Sequence, residues 1–134
     1  VFQDYKLLPN KTVFENVSFA QEVIGGDRKT IRFKTWEALK NVGLTPKKDI
    51  YPANLSGGEQ QRIAIARALI NSPKAILADE PTGNLDSNQS TNMFNLFHQI
   101  AKDFGTTFLI ITHNDYLAKM CHRVIKLKDG RISN

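Results

Sequence analysis

Apolar residues recur at helical spacing through the first half of the chain. Thr12 and Glu15 lie three positions apart in the capping-box pattern that begins a helix, which predicts a helix over residues 12 to 24. A second helix is predicted over residues 28 to 42, where a glycine follows. The apolar positions of the two helices are Val13, Val17, Ala20, Ile24, Ile31, Trp36, Leu39 and Val42. About residues 4–54 are therefore predicted to form a helical subdomain.

The second half alternates short apolar runs with helical segments. Helices are predicted over residues 57 to 71 and over about residues 88 to 104. Residues 75–78 and 107–111 are continuous apolar runs, which are typical of strands buried on both faces. Because helices alternate with such strands, residues 55–134 are predicted to be an α/β core with a parallel sheet. The remaining predicted elements are a short helix over residues 115–120 and a hairpin that turns at Asp129-Gly130.

Composition narrows the class of protein. Hydrophobic residues make up 41% and charged residues 23% of the 134 residues, which is ordinary for a globular domain and excludes wholesale disorder. The single cysteine, Cys121, excludes an internal disulfide. No apolar run approaches the roughly 18 residues that a membrane-spanning helix needs.

The net charge of +5 is concentrated in residues 27–49. Seven basic residues there face three acidic ones, which leaves a local charge of +4. A positive surface can face nucleic acid or the anionic head groups of lipids. Because no aromatic ladder accompanies these charges, a solvated helix face is the favoured interpretation.

The sequence LSGGEQQR at residues 55–62 carries the strongest local signal. Ser56 and Glu59 repeat the capping-box pattern, and Gly57 and Gly58 permit another backbone to come close. Two consecutive glycines in a first helical turn cost about 1 kcal/mol each relative to alanine. We interpret that cost as a sign that the backbone N–H groups bind an anion such as a phosphate. A well-capped helix is the plain structural alternative.

Polar residues are predicted to meet at one edge of the sheet. Asp79 and Glu80 follow the strand at residues 75–78, at the carboxyl end where open α/β sheets bind ligands. One acid can hold Mg²⁺ while its neighbour orients or deprotonates an attacking water, although acids at a strand end are more often a solvated turn. His113 follows residues 107–111, so parallel pairing brings it to the same edge as Glu80, within reach of a γ-phosphate.

Several motifs follow one another in a fixed order. Gln3 follows an apolar start, LSGGEQQR lies at residues 55–62, ADEPTGNLD lies at residues 78–86, and Thr-His lies at residues 112–113. In this order and spacing the chain resembles the ATP-binding cassette (ABC) family over essentially its whole length. The resemblance implies the α/β fold of a P-loop NTPase with a helical subdomain. The opening of the chain looks most like the cell-division ATP-binding subunits of that family, with lipoprotein-releasing and macrolide-export ATPases as near relatives.

The resemblance also implies a role for individual residues. Glu80 matches the catalytic glutamate and His113 the switch histidine, which are the expected catalytic residues. Asp79 matches the Walker B acid that binds Mg²⁺, and Gln3 matches the Q-loop glutamine that joins it. The residues expected to contact ATP are Gln3 together with Ser56, Gly57, Gly58, Glu59 and Gln60 of the signature motif and Asp86 of the D-loop.

One part of the family pattern does not occur in this chain. None of its eight glycines is followed by Lys-Ser or Lys-Thr, so the phosphate-binding loop G-x-x-x-x-G-K-[ST] is missing. The chain also begins at Val1 without a methionine. We interpret it as the C-terminal part of a nucleotide-binding domain without the Walker A region, and we expect this part alone to be inactive.

For the full-length protein the resemblance implies ATP hydrolysis with Mg²⁺ in a head-to-tail homodimer. The expected partner is an integral membrane permease docked near the helical subdomain, at the cytoplasmic face of the inner membrane, and no nucleic acid is expected. ABC-type ATPases of chromosome and DNA-repair complexes are a distant alternative. They would show long heptad coiled coils, whereas only two short predicted helices separate Gln3 from Leu55. A non-catalytic scaffold is the remaining alternative.

Overall fold

The computed structural model describes residues 1–133 and confirms the predicted succession of elements. The elements are helices α1 (Val13–Val23) and α2 (Arg28–Asn41), 3-10 turns Thr45–Lys47 and Pro52–Asn54, helix α3 (Gly57–Leu69), strand β1 (Ala75–Asp79), helix α4 (Ser87–Phe104), strand β2 (Thr107–Ile111), helix α5 (Asp115–Ala118) and strands β3 (Lys126–Lys128) and β4 (Arg131–Ser133). Helices α3 and α5 end two residues earlier than predicted. No helix of residues 1–133 is long and apolar enough to cross a membrane.

Both predicted capping boxes form. The Thr12 hydroxyl accepts a hydrogen bond from the Glu15 N–H at 3.2 Å, and a Glu15 carboxylate oxygen accepts one from the Thr12 N–H at 2.7 Å. Ser56 and Glu59 make the same reciprocal pair at the start of α3. Each pair satisfies N–H groups that have no partner within the helix, which fixes where α1 and α3 begin.

Helices α1, α2 and α3 pack against one another. Their apolar faces supply fully buried side chains to a hydrophobic cluster that continues to β1, α4 and α5. Those side chains from the three helices are Val13, Val17, Leu39, Ile63 and Ile65. The division of the chain at about residue 54 stays a prediction.

Strands β1 and β2 are parallel neighbours, with Ala75 opposite Thr107 and Asp79 opposite Ile111. The first residue of the chain lies along the other side of β1. The Val1 amino group donates to Leu77 O at 2.7 Å, and the Asp79 N–H donates to Val1 O at 2.9 Å. Bonds that bracket one residue in this way are those of a parallel pair. They bring the segment after Val1 to the carboxyl edge of the sheet.

The prediction that these strands are buried on both faces is wrong. Leu77, Leu109 and Ile111 are 65%, 59% and 61% exposed, whereas Ile76 and Ala78 on the opposite face are buried. The buried face of the sheet packs against helices: Phe97 of α4 stacks on Phe108 of β2, and Ile76 of β1 joins the hydrophobic cluster. Both faces of the sheet therefore carry apolar side chains, although only one face is buried.

The predicted hairpin at the end of the described chain is confirmed. Strands β3 and β4 are antiparallel, with Lys128 opposite Arg131. Asp129 and Gly130 between them both have positive φ, 51° and 74°. This is the conformation that a two-residue hairpin turn requires, and it explains the Asp-Gly pair.

Candidate functional site

The carboxyl edge of the sheet brings Glu80 and His113 into contact. Glu80 Oε1 accepts a hydrogen bond from the His113 N–H at 2.9 Å, and it lies 2.8 Å from His113 Nδ1. An ionised carboxylate oxygen only accepts, so this contact is a hydrogen bond in the tautomer that carries the hydrogen on Nδ1. The imidazole is 86% exposed and the Glu80 side chain 22%. The parallel register thus joins the two residues that the sequence predicts as catalytic.

The backbone of Glu80 is in an unusual conformation. Its φ is +42°, in the left-handed region, and Pro81 follows it. The Glu80 N–H donates to Ile111 O at 2.9 Å, and Glu80 O accepts from the Gly83 N–H at 3.0 Å. A non-glycine residue keeps such a conformation only where its surroundings hold it there, and such residues cluster at functional sites.

A cavity of about 180 Å³ lies beside this pair. Glu80 and His113 line it together with the hydroxyl-bearing residues Thr82, Ser90 and Thr112. A water occupies about 30 Å³ of liquid, so the cavity has room for several ordered waters. The Glu80 carboxylate therefore borders a polar space that can hold a nucleophilic water.

Asp79 and Gln3 are the candidate magnesium ligands. The Asp79 side chain is exposed at the end of β1, and Gln3 lies two residues beyond Val1, which pairs with β1. Gln3 Nε2 donates to Asn84 Oδ1 at 3.4 Å, and Asn84 Nδ2 donates to Gln3 O at 2.9 Å. These contacts leave the amide oxygen of Gln3 facing no donor within residues 1–133.

The donors fit the Mg²⁺ that the family resemblance implies. A carboxylate and an amide oxygen are hard ligands, and Mg²⁺ takes one or two protein ligands with phosphates and waters completing its shell. No group of three or more His, Cys, Asp or Glu side chains within residues 1–133 forms a closed metal cage. The oxygen donors at this edge are thus suited to a metal shared with a phosphate.

The signature segment begins helix α3 beside the loop that follows β1. Ser56 is exposed. A Cβ on Gly57 would lie 3.0 Å from the Tyr5 hydroxyl and 3.6 Å from Leu85, and one on Gly58 would lie 3.7 Å from Gln89. Close packing against Tyr5 thus gives Gly57 a structural reason, whereas a Cβ on Gly58 would make only an ordinary contact. The anion-binding role of both glycines stays a prediction.

Three other predicted nucleotide contacts have structural partners. The Glu59 carboxylate closes the capping box and pairs with Lys47. Gln60 Nε2 donates to Pro52 O at 2.9 Å and to Leu55 O at 3.2 Å, which holds the turn before α3. Asp86 is the N-cap of α4 and accepts from the Gln89 N–H at 2.8 Å. No hydrogen bond within residues 1–133 joins any of the three to Glu80 or His113.

Two residues near the site have contacts that the sequence does not predict. Gln61 is fully buried in α3, and its side-chain amide donates to Pro81 O. Arg67 donates to Tyr5 O at 2.9 Å and to Lys6 O at 2.8 Å, where two consecutive residues have positive φ. Burial lowers the pKa of Arg67 and raises that of Tyr5. Nothing in the local sequence distinguishes these side chains from solvated polar residues of a helix.

Comparison with known proteins shows what the chain is similar to. The profile of the family described as "ABC transporter" matches residues 1–83. The chain is 53% identical to the cell division ATP-binding protein FtsE of Streptococcus pneumoniae and 49% identical to that of Mycobacterium tuberculosis, over 98% of this chain and 57% of each relative. It is 47% identical to the lipoprotein-releasing system ATP-binding protein LolD of Francisella tularensis, over 98% of this chain and 58% of the relative.

Solved structures confirm the predicted fold class. The structure of cbiO1 from Clostridium perfringens, part of the ABC transporter complex cbiONQ, matches with a TM-score of 0.93 at 34% identity, over 100% of this chain and 54% of that one. A dimeric ATP-binding cassette, MJ0796, in a post-hydrolysis state bound to ADP and Pi matches with a TM-score of 0.81 at 37% identity, over 99% of this chain and 60% of that one. The chain thus spans little more than half the length of these relatives.

Proposed function

Since the chain belongs to the ABC transporter family, we propose that it is part of an ATP-binding subunit that hydrolyses ATP to drive a membrane partner. The activity belongs to the full-length protein, because the chain spans 57% of the first relatives. The observation that carries the proposal is the contact between Glu80 and His113 where two parallel strands end. The cavity beside them supports a hydrolytic water at that point.

In this proposal Glu80 is the general base that takes a proton from the attacking water. The backbone N–H and Nδ1 of His113 contact the Glu80 carboxylate and hold it in one orientation beside the cavity. Asp79 and Gln3 hold Mg²⁺, which neutralises charge on the phosphates of ATP when it is bound. The exposed Ser56 at the start of α3 faces the nucleotide of a second subunit in a head-to-tail dimer.

Substitution of the two acids in the full-length protein tests these roles. Glu80→Gln keeps the size and removes the base, so hydrolysis is expected to fall by about 10²-fold or more. ATP binding survives, and ATP traps a dimer that elutes with doubled mass. Asp79→Asn is expected to weaken Mg-ATP binding and to give no trapped dimer. The assignment is reversed if Glu80→Gln hydrolyses ATP normally or if Asp79→Asn forms the dimer.

The membrane partner that we propose is the FtsX-like permease of the cell-division system. The identities of 53% and 49% to FtsE support it, and the 47% identity to LolD makes a lipoprotein-releasing complex the second candidate, with macrolide export third. Either assignment puts the subunit on the cytoplasmic face of the inner membrane as a peripheral protein. Pull-down of the full-length protein with each permease in turn decides between them.

The surface that we propose for this partner is the start of α2. Arg28, Lys29 and Arg32 are exposed there, and the neighbouring Ile24 and Phe33 are 65% and 66% exposed apolar side chains. Basic and apolar groups side by side suit a partner at an anionic membrane surface. Reversal of the three basic residues to Glu is expected to weaken pull-down of the permease and to leave ATP binding intact. The same reversal at Lys126, Lys128 and Arg131 is the control, and the proposed surface is wrong if both triple variants behave alike.

A further inference from the structure

Gln61 is a buried amide that packing alone does not explain. It is completely inaccessible to solvent, although Glu59 and Gln60 before it are half-buried. Its Nε2 donates to Pro81 O, while its Oε1 has no hydrogen-bond partner within residues 1–133. An unpaired buried oxygen is costly, and each such atom in a native protein calls for a reason. An apolar side chain of the same size would fill the space without that oxygen.

The partner of Gln61 lies next to the reacting groups. Pro81 directly follows Glu80, whose left-handed backbone is held by Ile111 O and by Gly83 N–H. These two bonds, and those of His113 to the carboxylate, fix Glu80 from the side of β2 and from its own turn. The hydrogen bond from the Gln61 amide to Pro81 O fixes the same turn from the side of α3. Proline disfavours helical backbone in the residue before it. The conformation of Glu80 therefore depends on these hydrogen bonds.

We infer that Gln61 is a positioning residue for Glu80. By holding Pro81 O, it keeps Glu80 in the backbone conformation from which the carboxylate reaches His113. This inference rests on the proposed role of Glu80 in hydrolysis. Because Gln61 lies in α3, five residues after Ser56, it also joins the signature helix to the general base within one subunit. A shift of α3 is then transmitted to the turn that carries Glu80.

Gln61→Met in the full-length ATPase tests the inference. Methionine conserves length and volume but donates no hydrogen bond. We expect kcat to fall about tenfold, the rate equivalent of one positioning hydrogen bond, with the KM for ATP unchanged within about twofold. Gln21→Met is the matched control, because Gln21 is also buried and its amide donates to Asn71 and Ile70 O, at the far end of α3. We expect this control to keep full kcat.

Combination with Glu80→Gln separates the inference from the proposed function. If Gln61 acts through Glu80, adding Gln61→Met to Glu80→Gln lowers the residual rate no further. Full kcat in Gln61→Met, or an equal loss in both backgrounds, overturns the inference and leaves the role of Glu80 standing. Normal hydrolysis by Glu80→Gln overturns both. Should Gln61→Met fail to fold, Gln61→Asn, which keeps the amide but shortens its reach, is measured in the same way with the same expected loss.

Discussion

Asn16 shows how one buried amide fixes an irregular segment of this chain. Its Oδ1 accepts from the Leu8 N–H at 2.8 Å, and its Nδ2 lies 3.0–3.1 Å from the carbonyl oxygens of Leu8, Lys11 and Thr12. The side chain is fully buried. A segment without regular structure thereby has its backbone groups paired next to the first turn of α1.

Asn16→Leu is expected to destabilise the protein by roughly 2–4 kcal/mol, because the part-buried Leu8 N–H and Lys11 carbonyl oxygen lose their partner at once. Urea denaturation of the full-length protein measures this as a lower midpoint. Asn95→Leu on the exposed face of α4 is the control and is expected to change the free energy of unfolding by less than about 0.5 kcal/mol. Equal midpoints for the two variants would contradict the role given to Asn16.

Polar residues that directly follow a strand are easier to place from the sequence than buried amides. Glu80 and His113 follow two apolar runs, so the assumption of parallel strands was enough to place them together. Asn16 and Gln61 instead lie in helices, where a polar side chain normally faces water. Their burial depends on which segments the tertiary fold brings over them, namely residues 8–12 and the turn at Pro81.

At the scale of elements, the capping box of α3 makes the stability of the fold depend on pH through Glu59. The Lys47 ammonium and the Ser56 N–H hold the pKa of Glu59 below its usual value of 4.5. Because the folded pKa is lower than the unfolded one, the ionised carboxylate stabilises the fold above pH 4.5. That contribution is lost as the pH falls through the folded pKa.

Glu59→Gln is therefore expected to lower the free energy of unfolding near neutral pH by about 1 kcal/mol. The difference from wild type is expected to shrink as the pH falls below 4.5, since the protonated carboxyl and the amide are alike. Lys47→Met removes the larger cause of the lowered Glu59 pKa and leaves the hydrogen bond from the Ser56 N–H. The pH dependence of its free energy of unfolding is therefore expected to lie between those of wild type and Glu59→Gln. Urea midpoints measured across the acid range test this, and a difference that is constant with pH argues against the capping-box explanation.

The sequence predicts where the strands of the sheet lie but not which of their faces are buried. Spacing and composition located β1, β2 and the hairpin, because each is a short apolar run between turn residues. They did not reveal that one face of β1 and β2 is exposed, because continuous apolar runs are read as buried on both faces. What covers a strand is decided by elements elsewhere in the molecule.

At the scale of the whole molecule, the chain combines three helices, α1 to α3, that pack against one another with a sheet that has one exposed face. The exposed face presents Leu77 and Leu109, which are opposite each other in the register, next to Ile111. A contiguous exposed apolar patch of this kind marks a contact surface. Glu80 and His113, the residues that we propose as catalytic, lie at the end of that same sheet, so the candidate site is built on strands with one exposed face.

The isolated chain of residues 1–134 is therefore expected to self-associate and to show no ATP turnover above buffer. Self-association follows from the exposed sheet face, and the lack of turnover follows from the missing phosphate-binding loop, since phosphoryl transfer depends on positioning and charge stabilisation. Leu77→Lys with Leu109→Lys is expected to shift elution on size exclusion toward the monomer. Phe33→Lys, at an equally exposed apolar position on α2, is expected to elute like the unmodified chain. If Phe33→Lys restores the monomer and the sheet variant does not, the helical surface causes the self-association. ATP turnover by the unmodified chain would show that the phosphate-binding loop is dispensable.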